Sequence, residues 1–260
     1  MRSWSPSVYK PLPRNVVFYD GPSQLNGERI LGIVTSKSTN PKIGRMVQAW
    51  IIPAMSPIAA VKSGADAAVC GDCKLRGERW KGRSCYVWIP GVDNIWQSIQ
   101  KIEKTDHMGP SQLARLVAGL QLRIGAYGDP MAVPVQVWEP LLKTAAGWTA
   151  YTHRWAHATA VETTDFRGWC MASVDSVEEQ QQASARGWRT FRVRPEGGVL
   201  DRGEIVCPHE NDESIHCAEC SLCRGAARPA KHIAVTVHGQ GKKWFPLQVI
   251  NPEVEAQAIG

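Results

Sequence analysis

Seven of the eight cysteines in this chain form two groups whose spacing suits the binding of an inorganic centre. The C-terminal group contains Cys207, Cys217, Cys220 and Cys223, and its last three members follow one another at three-residue steps. Four thiolates that lie so close in the chain can surround one zinc ion or one iron–sulfur cluster. The spacing therefore predicts what is bound, and it says less about the reaction.

The continuous C-x2-C-x2-C pattern of Cys217, Cys220 and Cys223 favours an iron–sulfur cluster over zinc. Structural zinc is usually held by two separate C-x2-C pairs, whereas a continuous run is typical of cubane [4Fe-4S] clusters. Cys207 is followed by Pro208, as in ferredoxin-type loops. We expect these four cysteines to ligate a [4Fe-4S] cluster, with zinc as the alternative.

The second group contains Cys70, Cys73 and Cys85. Three protein ligands on a cubane leave one iron open, and a catalytic metal centre needs such an open position. A structural site that takes a fourth ligand from Cys170, a histidine or an aspartate is the alternative. Cys207 could also close this group, so the sequence leaves the division of the cysteines between the two sites open.

Composition and the N-terminal segment bear on location. The chain has 260 residues, enough for one large or two small domains, and 43% of them are hydrophobic, as in ordinary globular proteins. No apolar run of about eighteen residues predicts a transmembrane helix, and MRSWSPSVYKPLPRN lacks the apolar segment of a secretory signal. We expect a cytoplasmic protein without membrane contact, in which reduced cysteines act as ligands.

The net charge is +6, and basic residues outnumber acidic ones near the N-terminus. The basic residues there are Arg2, Lys10, Arg14, Arg29, Lys37, Lys42 and Arg45. Such an arm could contact a nucleic-acid backbone. A solvated basic surface is the simpler interpretation, because the charges are dispersed and no nucleic-acid-binding motif accompanies them.

Before residue 84 the sequence predicts a surface arm, a hairpin and an irregular loop. Residues 1–28 are rich in Pro, Ser and Gly. Two β-branched runs, Ile30–Ser36 and Met46–Ile52, are separated by a turn-like segment and predict a β-hairpin. Residues 53–83, which carry the first two cysteines, have no clear periodicity and predict a loop.

From residue 84 to residue 203 strands alternate with helices, which predicts parallel strands with right-handed crossovers. The predicted strands are Cys85–Ile89, Leu122–Tyr127, Trp148–Thr152, Trp169–Val174 and Trp188–Val193, and two shorter ones are Ile205–Val206 and Ile233–Val237. The predicted helices are Val92–Lys104, Ser111–Leu120, Val135–Ala146 and Ser176–Arg186. Because no glycine fingerprint for a dinucleotide follows a strand, we expect an α/β fold with a partial or complete TIM-like barrel. The cysteine-rich segment 204–260 should pack on this core.

Three polar residues, Asp129, His153 and Asp175, follow predicted strands directly. The carboxyl ends of parallel strands face the active site in α/β proteins, so we expect these side chains to meet on one rim as catalytic residues. Each also has a structural explanation. Asp129 could shape a turn, Asp175 could cap the next helix, and His153 could be a buried, hydrogen-bonded histidine.

The stretch from Cys85 to about Pro195 resembles the partial barrel of radical S-adenosylmethionine proteins. Leu122–Pro130, with the sequence LRIGAYGDP, is similar to their second strand, and Ala172–Val193 is similar to a later strand–helix–strand unit. The segment IHCAECSLCRG is similar to the auxiliary cluster segment of several such enzymes. The whole chain also resembles a family of phage-encoded iron–sulfur proteins with the same two cysteine groups and a degenerate cysteine motif.

The resemblance implies one or two [4Fe-4S] clusters, S-adenosylmethionine as a further cofactor, and a radical or redox reaction on a small molecule or a nucleic acid. In this hypothesis the first cysteine group binds the cofactor beside the polar strand ends. The competing hypothesis is a binding module without catalysis. There, zinc or a cluster holds irregular segments on the core, and the basic arm holds a nucleic acid or a protein partner.

Overall fold

The computed structural model describes residues 12–37, 40–77, 82–101 and 106–246. Several sequence predictions lie outside the described residues. They concern Arg2 and Lys10 of the basic arm, residues 102–104 of the helix expected at Val92–Lys104, and the chain after residue 246. The described helix in that stretch ends at Ile99.

The described chain is an α/β fold in which helices and strands are mixed along the sequence. Its strands are β1 Asn15–Pro22, β2 Arg29–Thr35, β3 Val47–Pro53, β4 Asp106–His107, β5 Gln121–Ile124, β6 Gly147–Thr149, β7 Tyr151–Thr152, β8 Met171–Val174, β9 Thr190–Arg194, β10 Glu204–Val206 and β11 His232–Thr236. Its α-helices are α1 Pro57–Ser63, α2 Ala67–Cys70, α3 Ile89–Ile99, α4 Pro110–Leu116, α5 Val135–Thr144, α6 Ala160–Trp169, α7 Val177–Ala185, α8 Pro208–Asn211 and α9 Cys217–Cys220.

The strands form a six-stranded mixed sheet, ordered β4-β1-β2-β3-β5-β6, and a five-stranded parallel sheet, ordered β10-β11-β9-β8-β7. β1, β2 and β3 pair antiparallel, which confirms the predicted hairpin between β2 and β3. Pairing is parallel from β3 through β5 to β6, and only Ala150 separates β6 from β7, where the second sheet begins. Within the described residues no closed barrel forms, because β3 pairs with β2 instead of with β10.

The parallel series starts at β3, and the strand predicted at Cys85–Ile89 is wrong. That segment is an irregular connection to α3, whose first turn contains Pro90. Sequence patterning assigns β3 to the hairpin alone, but β3 pairs on both edges, antiparallel with β2 and parallel with β5. The sheet therefore runs across residue 84, where the sequence suggests a boundary between segments.

Several elements are not expected from the sequence. The loop predicted at residues 53–83 is wrong in part, because α1 and α2 lie within it, and the short elements β4, α8 and α9 are also not predicted. β1 lies in the stretch assigned to a surface arm, yet its first four residues are buried. α6 has the sequence AVETTDFRGW, in which apolar residues do not recur at helical spacing. The other predicted strands and helices are present, with ends that differ by a few residues.

The chain that leaves β5 passes directly over β3. Gly128 has a φ of 83°, and a Cβ atom there would collide with the carbonyl oxygen of Ile51. The backbone N–H of Ile51 donates a hydrogen bond to the carbonyl oxygen of Tyr127 at 2.8 Å. Glycine is therefore required at this crossing, which holds the carboxyl ends of two neighbouring parallel strands together.

Apolar residues are buried on both faces of the parallel strands. The main core joins the helices to side chains such as Leu122, Ala172 and Val174. A smaller cluster on the opposite face contains Met171 and Ile233, together with Cys207, Ile205 and other neighbours. No helix in the described part of the chain is long and apolar enough to cross a lipid bilayer.

A buried ion pair connects β9 to β10 across β11. Arg192 donates from Nε to Glu204 Oε1 at 2.8 Å and from Nη2 to Glu204 Oε2 at 2.6 Å. The two side chains are 4% and 0% exposed, and Glu204 also accepts a hydrogen bond from the backbone N–H of Asp201. Removal of one partner would leave the other charge buried and unpaired.

We expect the Glu204→Ala variant to lose about 3–5 kcal/mol of unfolding free energy, because Arg192 would stay buried without a carboxylate. Urea denaturation of both proteins measures this loss. The control is Glu139→Ala, which removes a pair with Lys143 whose side chains are 42% and 74% exposed. This control should change stability by less than about 1 kcal/mol. Equal effects of the two substitutions would contradict the prediction.

Candidate functional site

A cavity of about 370 Å³ lies against the parallel strands, on the face opposite to most of the helices. The strand residues that line it include Thr149, Tyr151, Ser173, Phe191, Val193 and Val235. All three cysteines of the first group also line it, and so does Cys217 of the second group. One cavity therefore touches both cysteine groups.

Cys70, Cys73 and Cys85 come together in the connection that follows β3. The backbone N–H of Cys73 donates to the Cys70 carbonyl at 3.2 Å, and that of Cys85 donates to the Leu75 carbonyl at 2.8 Å. The chain thus folds back and brings the third cysteine to the first two. Burial raises the pKa of Cys70 well above its usual value, and the nearby thiols of Cys73 and Cys85 raise it further. Their role as ligands stays a prediction.

A buried carboxylate holds this connection in shape. Asp66 Oδ1 accepts from Arg76 Nη2 at 2.5 Å, and Asp66 Oδ2 accepts from Arg83 Nη1 at 3.3 Å. Arg83 Nη1 also donates to the Arg76 carbonyl at 2.9 Å. Because Asp66 comes just before Cys70 and Arg83 just before Cys85, these contacts hold the two ends of the connection together.

Several buried polar atoms around the three thiols have no hydrogen-bond partner among the described residues. They are Nε and Nη2 of Arg83, the hydroxyl of Tyr127 and Nε2 of His153. The positive charge of Arg83 acts on the thiols of Cys70 and Cys85, so these three groups are neighbours. Buried donors are normally satisfied, so these atoms fit a bound group that offers acceptors.

His153 lines the cavity beside this group, whereas Asp175 lies near His153 and is not among the described residues that line the cavity. Burial lowers the pKa of His153, but the nearby Cys73 sulfur and the carboxylates of Asp175 and Asp129 outweigh it, and the pKa is raised to about 10. Burial raises the pKa of Asp175 to about 6, and its Oδ1 atom has no hydrogen-bond partner among the described residues. Ser176, rather than Asp175, caps α7. His153 and Asp175 therefore keep unused hydrogen-bonding capacity near the thiols.

Asp129 is engaged with the surrounding backbone. Its carboxylate accepts from the N–H of Met131 at 3.0 Å, from the Thr152 hydroxyl at 2.9 Å and from the N–H of His153 at 2.9 Å. Its own N–H donates to the Val69 carbonyl at 2.7 Å. Burial raises the pKa of this carboxyl group. These contacts support the turn-shaping explanation, and a catalytic role for Asp129 stays a prediction.

The four cysteines of the second group surround a smaller cavity of about 30 Å³. A single buried water needs roughly 10–15 Å³ on this measure, so the space exceeds one water molecule. Cys207 precedes α8, Cys217 and Cys220 lie at the two ends of α9, and Cys223 follows. Burial raises the pKa of Cys223 to about 12, although a hydrogen bond with Tyr151 lowers it. The other three thiols are close enough to raise this pKa as well.

Arg189 fastens the second cysteine segment to the parallel sheet. Its guanidinium donates to the backbone carbonyls of Leu222 at 2.6 Å, Gly225 at 3.2 Å, Ala230 at 3.0 Å and Lys231 at 2.5 Å. Arg189 itself is buried just before β9. One side chain therefore holds four carbonyl groups of an irregular segment.

The positions of Cys207 and Cys170 indicate how the cysteines divide between the two groups. Cys207 lies with Cys217, Cys220 and Cys223, so it is not placed to close the first group. Cys170 is buried in the main core, and Asp129 is the charged residue that affects its pKa. Among the described residues, no three His, Cys, Asp or Glu side chains are arranged to hold a single metal ion.

The sequence does not predict Arg123, Tyr127 or Tyr151 as site residues, yet all three line the cavity. Arg123 Nη2 donates to the hydroxyl of Tyr86 at 2.9 Å, and Tyr151 and Cys217 lie near it. A charged residue inside the apolar run LRI of a buried parallel strand is unusual. That contrast was the one sequence signal that could have identified Arg123.

Comparison of the chain with protein-family models, curated proteins and solved structures finds no significant match. The resemblance to radical S-adenosylmethionine proteins therefore stays a prediction.

We expect Asp66→Ala to lower the unfolding free energy by about 3–5 kcal/mol, because the buried Arg83 would lose its carboxylate. Denaturation with urea measures the change. Asp72→Ala is the matched control, since Asp72 is 54% exposed and forms an ion pair with the exposed His157. It should cost less than about 1 kcal/mol. A mild effect at Asp66 would show that the connection is held by other contacts.

We expect Arg189→Lys to speed hydrogen exchange in residues 222–231 by about tenfold or more. The lysine ammonium group cannot replace the planar guanidinium, which donates hydrogen bonds to four carbonyls. Mass spectrometry of peptides from the exchanged protein measures the rate. Arg167→Lys serves as the control, because Arg167 donates to one exposed carbonyl, that of Arg186. Unchanged exchange in the Arg189 variant would exclude this anchoring role.

Proposed function

We propose that the protein binds two iron–sulfur clusters and is an enzyme that carries out a radical or redox reaction on a small molecule in the cavity. One observation carries the proposal: a single cavity within the sheets is lined by the three cysteines of the first group and by Cys217 of the second. A protein that used its cysteines only to hold irregular segments together would not need them to face a shared cavity.

The topology supports a partial barrel for this proposal. Parallel pairing continues from β3 to β10 with one change of sheet, and side chains from most of these strands line one cavity. The first cysteine group follows β3, which is the first strand of the parallel series. Active sites of parallel α/β folds lie at the carboxyl ends of the strands, where this connection begins.

The donor set of the first group fits a cluster with one iron left open. Cys70, Cys73 and Cys85 would hold it, and the unpaired donors of Arg83 and Tyr127 would face its acceptors. When bound, such a cluster supplies single electrons and an open coordination position. S-adenosylmethionine is the cofactor that the family resemblance suggests for that position.

The surrounding side chains have separate roles in this proposal. His153 lies beside Cys73, and the buried Asp175 favours the protonated form of His153. Asp129 holds the backbone of His153 in place. Apolar residues such as Phe191 and Val235 exclude water from the cavity wall.

Cys207, Cys217, Cys220 and Cys223 would hold the second cluster in the adjoining smaller cavity. Tyr151 lines both cavities and lies beside Cys223, so it connects this centre to the larger cavity. The position suits electron transfer to or from a molecule in the larger cavity. Arg189 would keep the segment on the sheet with or without the cluster.

The proposal predicts about eight iron atoms and eight sulfide ions per chain in protein isolated without oxygen. Cys73→Ala should lose about half of the iron and stay folded. Cys220→Ala should lose the other half and lower the solubility of the chain, because the cluster orders its segment. Cys170→Ala is the control, since it removes a thiol from neither group and should keep the full content. Elemental and sulfide analysis measures these values.

Two results would overturn the proposal in different ways. Zinc without sulfide in the isolated protein would favour the binding module. Two clusters without any cleavage of S-adenosylmethionine after reduction would leave an iron–sulfur protein and remove this cofactor from the proposal. Wild-type cleavage that Cys73→Ala abolishes and Cys170→Ala preserves would support the enzyme.

A further inference from the structure

Arg123 is a buried cation that faces the cavity without a carboxylate partner among the described residues. It is 9% exposed, and its guanidinium lines the larger cavity. Its Nη2 atom donates to the uncharged hydroxyl of Tyr86 at 2.9 Å. Arg83 and Arg192 have buried carboxylate partners, and Arg189 donates to four backbone carbonyls.

A guanidinium stays protonated at any physiological pH, so Arg123 cannot relieve its burial by losing its charge. A buried charge without a partner is strongly unfavourable. Asp129 is the one carboxylate among the described residues that line the cavity, and its oxygens already accept hydrogen bonds from Met131, Thr152 and His153. Lys42 adds a second positive charge to the lining. Apart from the cysteines, the described lining residues thus carry more cationic side chains than carboxylates.

We propose that the cavity binds a small molecule with a carboxylate or phosphate group, and that Arg123 pairs with that group. The planar guanidinium matches either anion through two parallel hydrogen bonds. The hydrogen bond to Tyr86 holds the guanidinium in one orientation, and Phe191, Val193 and Val235 provide an apolar wall for the rest of the molecule. This inference deepens the proposed function, on which it rests for the cavity as the ligand site.

Arg123 could instead serve only to balance the charge of Cys217, which lies close enough to interact with it. The two roles differ in a measurable way. A ligand-binding arginine discriminates between an anion and a neutral molecule of the same shape. An arginine that only balances Cys217 leaves ligand binding unchanged when it is replaced, and its replacement alters the second metal centre.

The test uses the full chain as isolated without oxygen, with iron and sulfide measured on every preparation. Isothermal titration calorimetry at constant ionic strength compares benzoate, phenyl phosphate and the neutral benzamide, which has the shape of benzoate. We expect at least one of the anions to bind about tenfold or more tightly than benzamide. A charge-assisted hydrogen bond contributes enough binding free energy to produce a difference of that size. The tighter of the two anions identifies the preferred group.

Arg123→Met should abolish this preference, and Arg123→Lys should retain part of it. Arg167→Met is the control, because Arg167 lies outside the cavity lining and should not alter binding. Wild-type protein that binds the anions and benzamide equally would overturn the inference, even if the Arg123 variants fail to fold. A folded Arg123→Met protein that keeps the full preference would overturn it as well.

The outcomes separate this inference from the proposed function. Protein that lacks iron but prefers anions through Arg123 would keep the inference and remove the proposed clusters. Protein that holds both clusters but shows no preference would keep the proposed function and remove the anion site.

Discussion

Parallel pairing of β3 with β5 is the constraint on which the arrangement of the site depends. Because these two strands run in the same direction, their carboxyl ends meet at one edge, and the connections that leave them lie side by side. The connection after β3 carries the first cysteine group, and the one after β5 carries Tyr127 and Asp129. Gly128 allows the two backbones to touch at this edge. An antiparallel β3–β5 pair would place these groups at opposite ends of the sheet.

The structure buries four arginines, and their guanidinium groups have different kinds of hydrogen-bond partners. Arg192 is fully paired with a carboxylate, and Arg189 is satisfied by backbone carbonyls. Arg83 shares a carboxylate, yet two of its donors have no partner among the described residues, and Arg123 donates to the phenol of Tyr86. The first two stabilise strands and an irregular segment. Arg83 lies beside the first cysteine group and Arg123 lines the cavity, so both are placed to donate to a bound group.

The two cysteine groups are supported by different means. The first depends on a buried carboxylate, Asp66, that joins two arginines across the ends of its connection. The second is a short segment with little apolar core of its own, and Arg189 and Tyr151 attach it to the sheet. Thiols in such surroundings are buried enough for their pKa values to rise, as Cys70 and Cys223 show. Metal binding favours deprotonated thiols, so a bound centre would offset that burial.

The sequence by itself determines the features that depend on neighbours in the chain: the C-x2-C spacings, the β2–β3 hairpin and most of the later strands and helices. Local patterning is sufficient there because periodicity and turn residues act over a few positions. Only the tertiary structure decides that β3 opens the parallel series, that Cys85 joins Cys70 and Cys73, and that Arg123 faces a cavity. Those features depend on which distant strands pair and on which face a side chain then lies, and neither is encoded in the spacing of nearby residues.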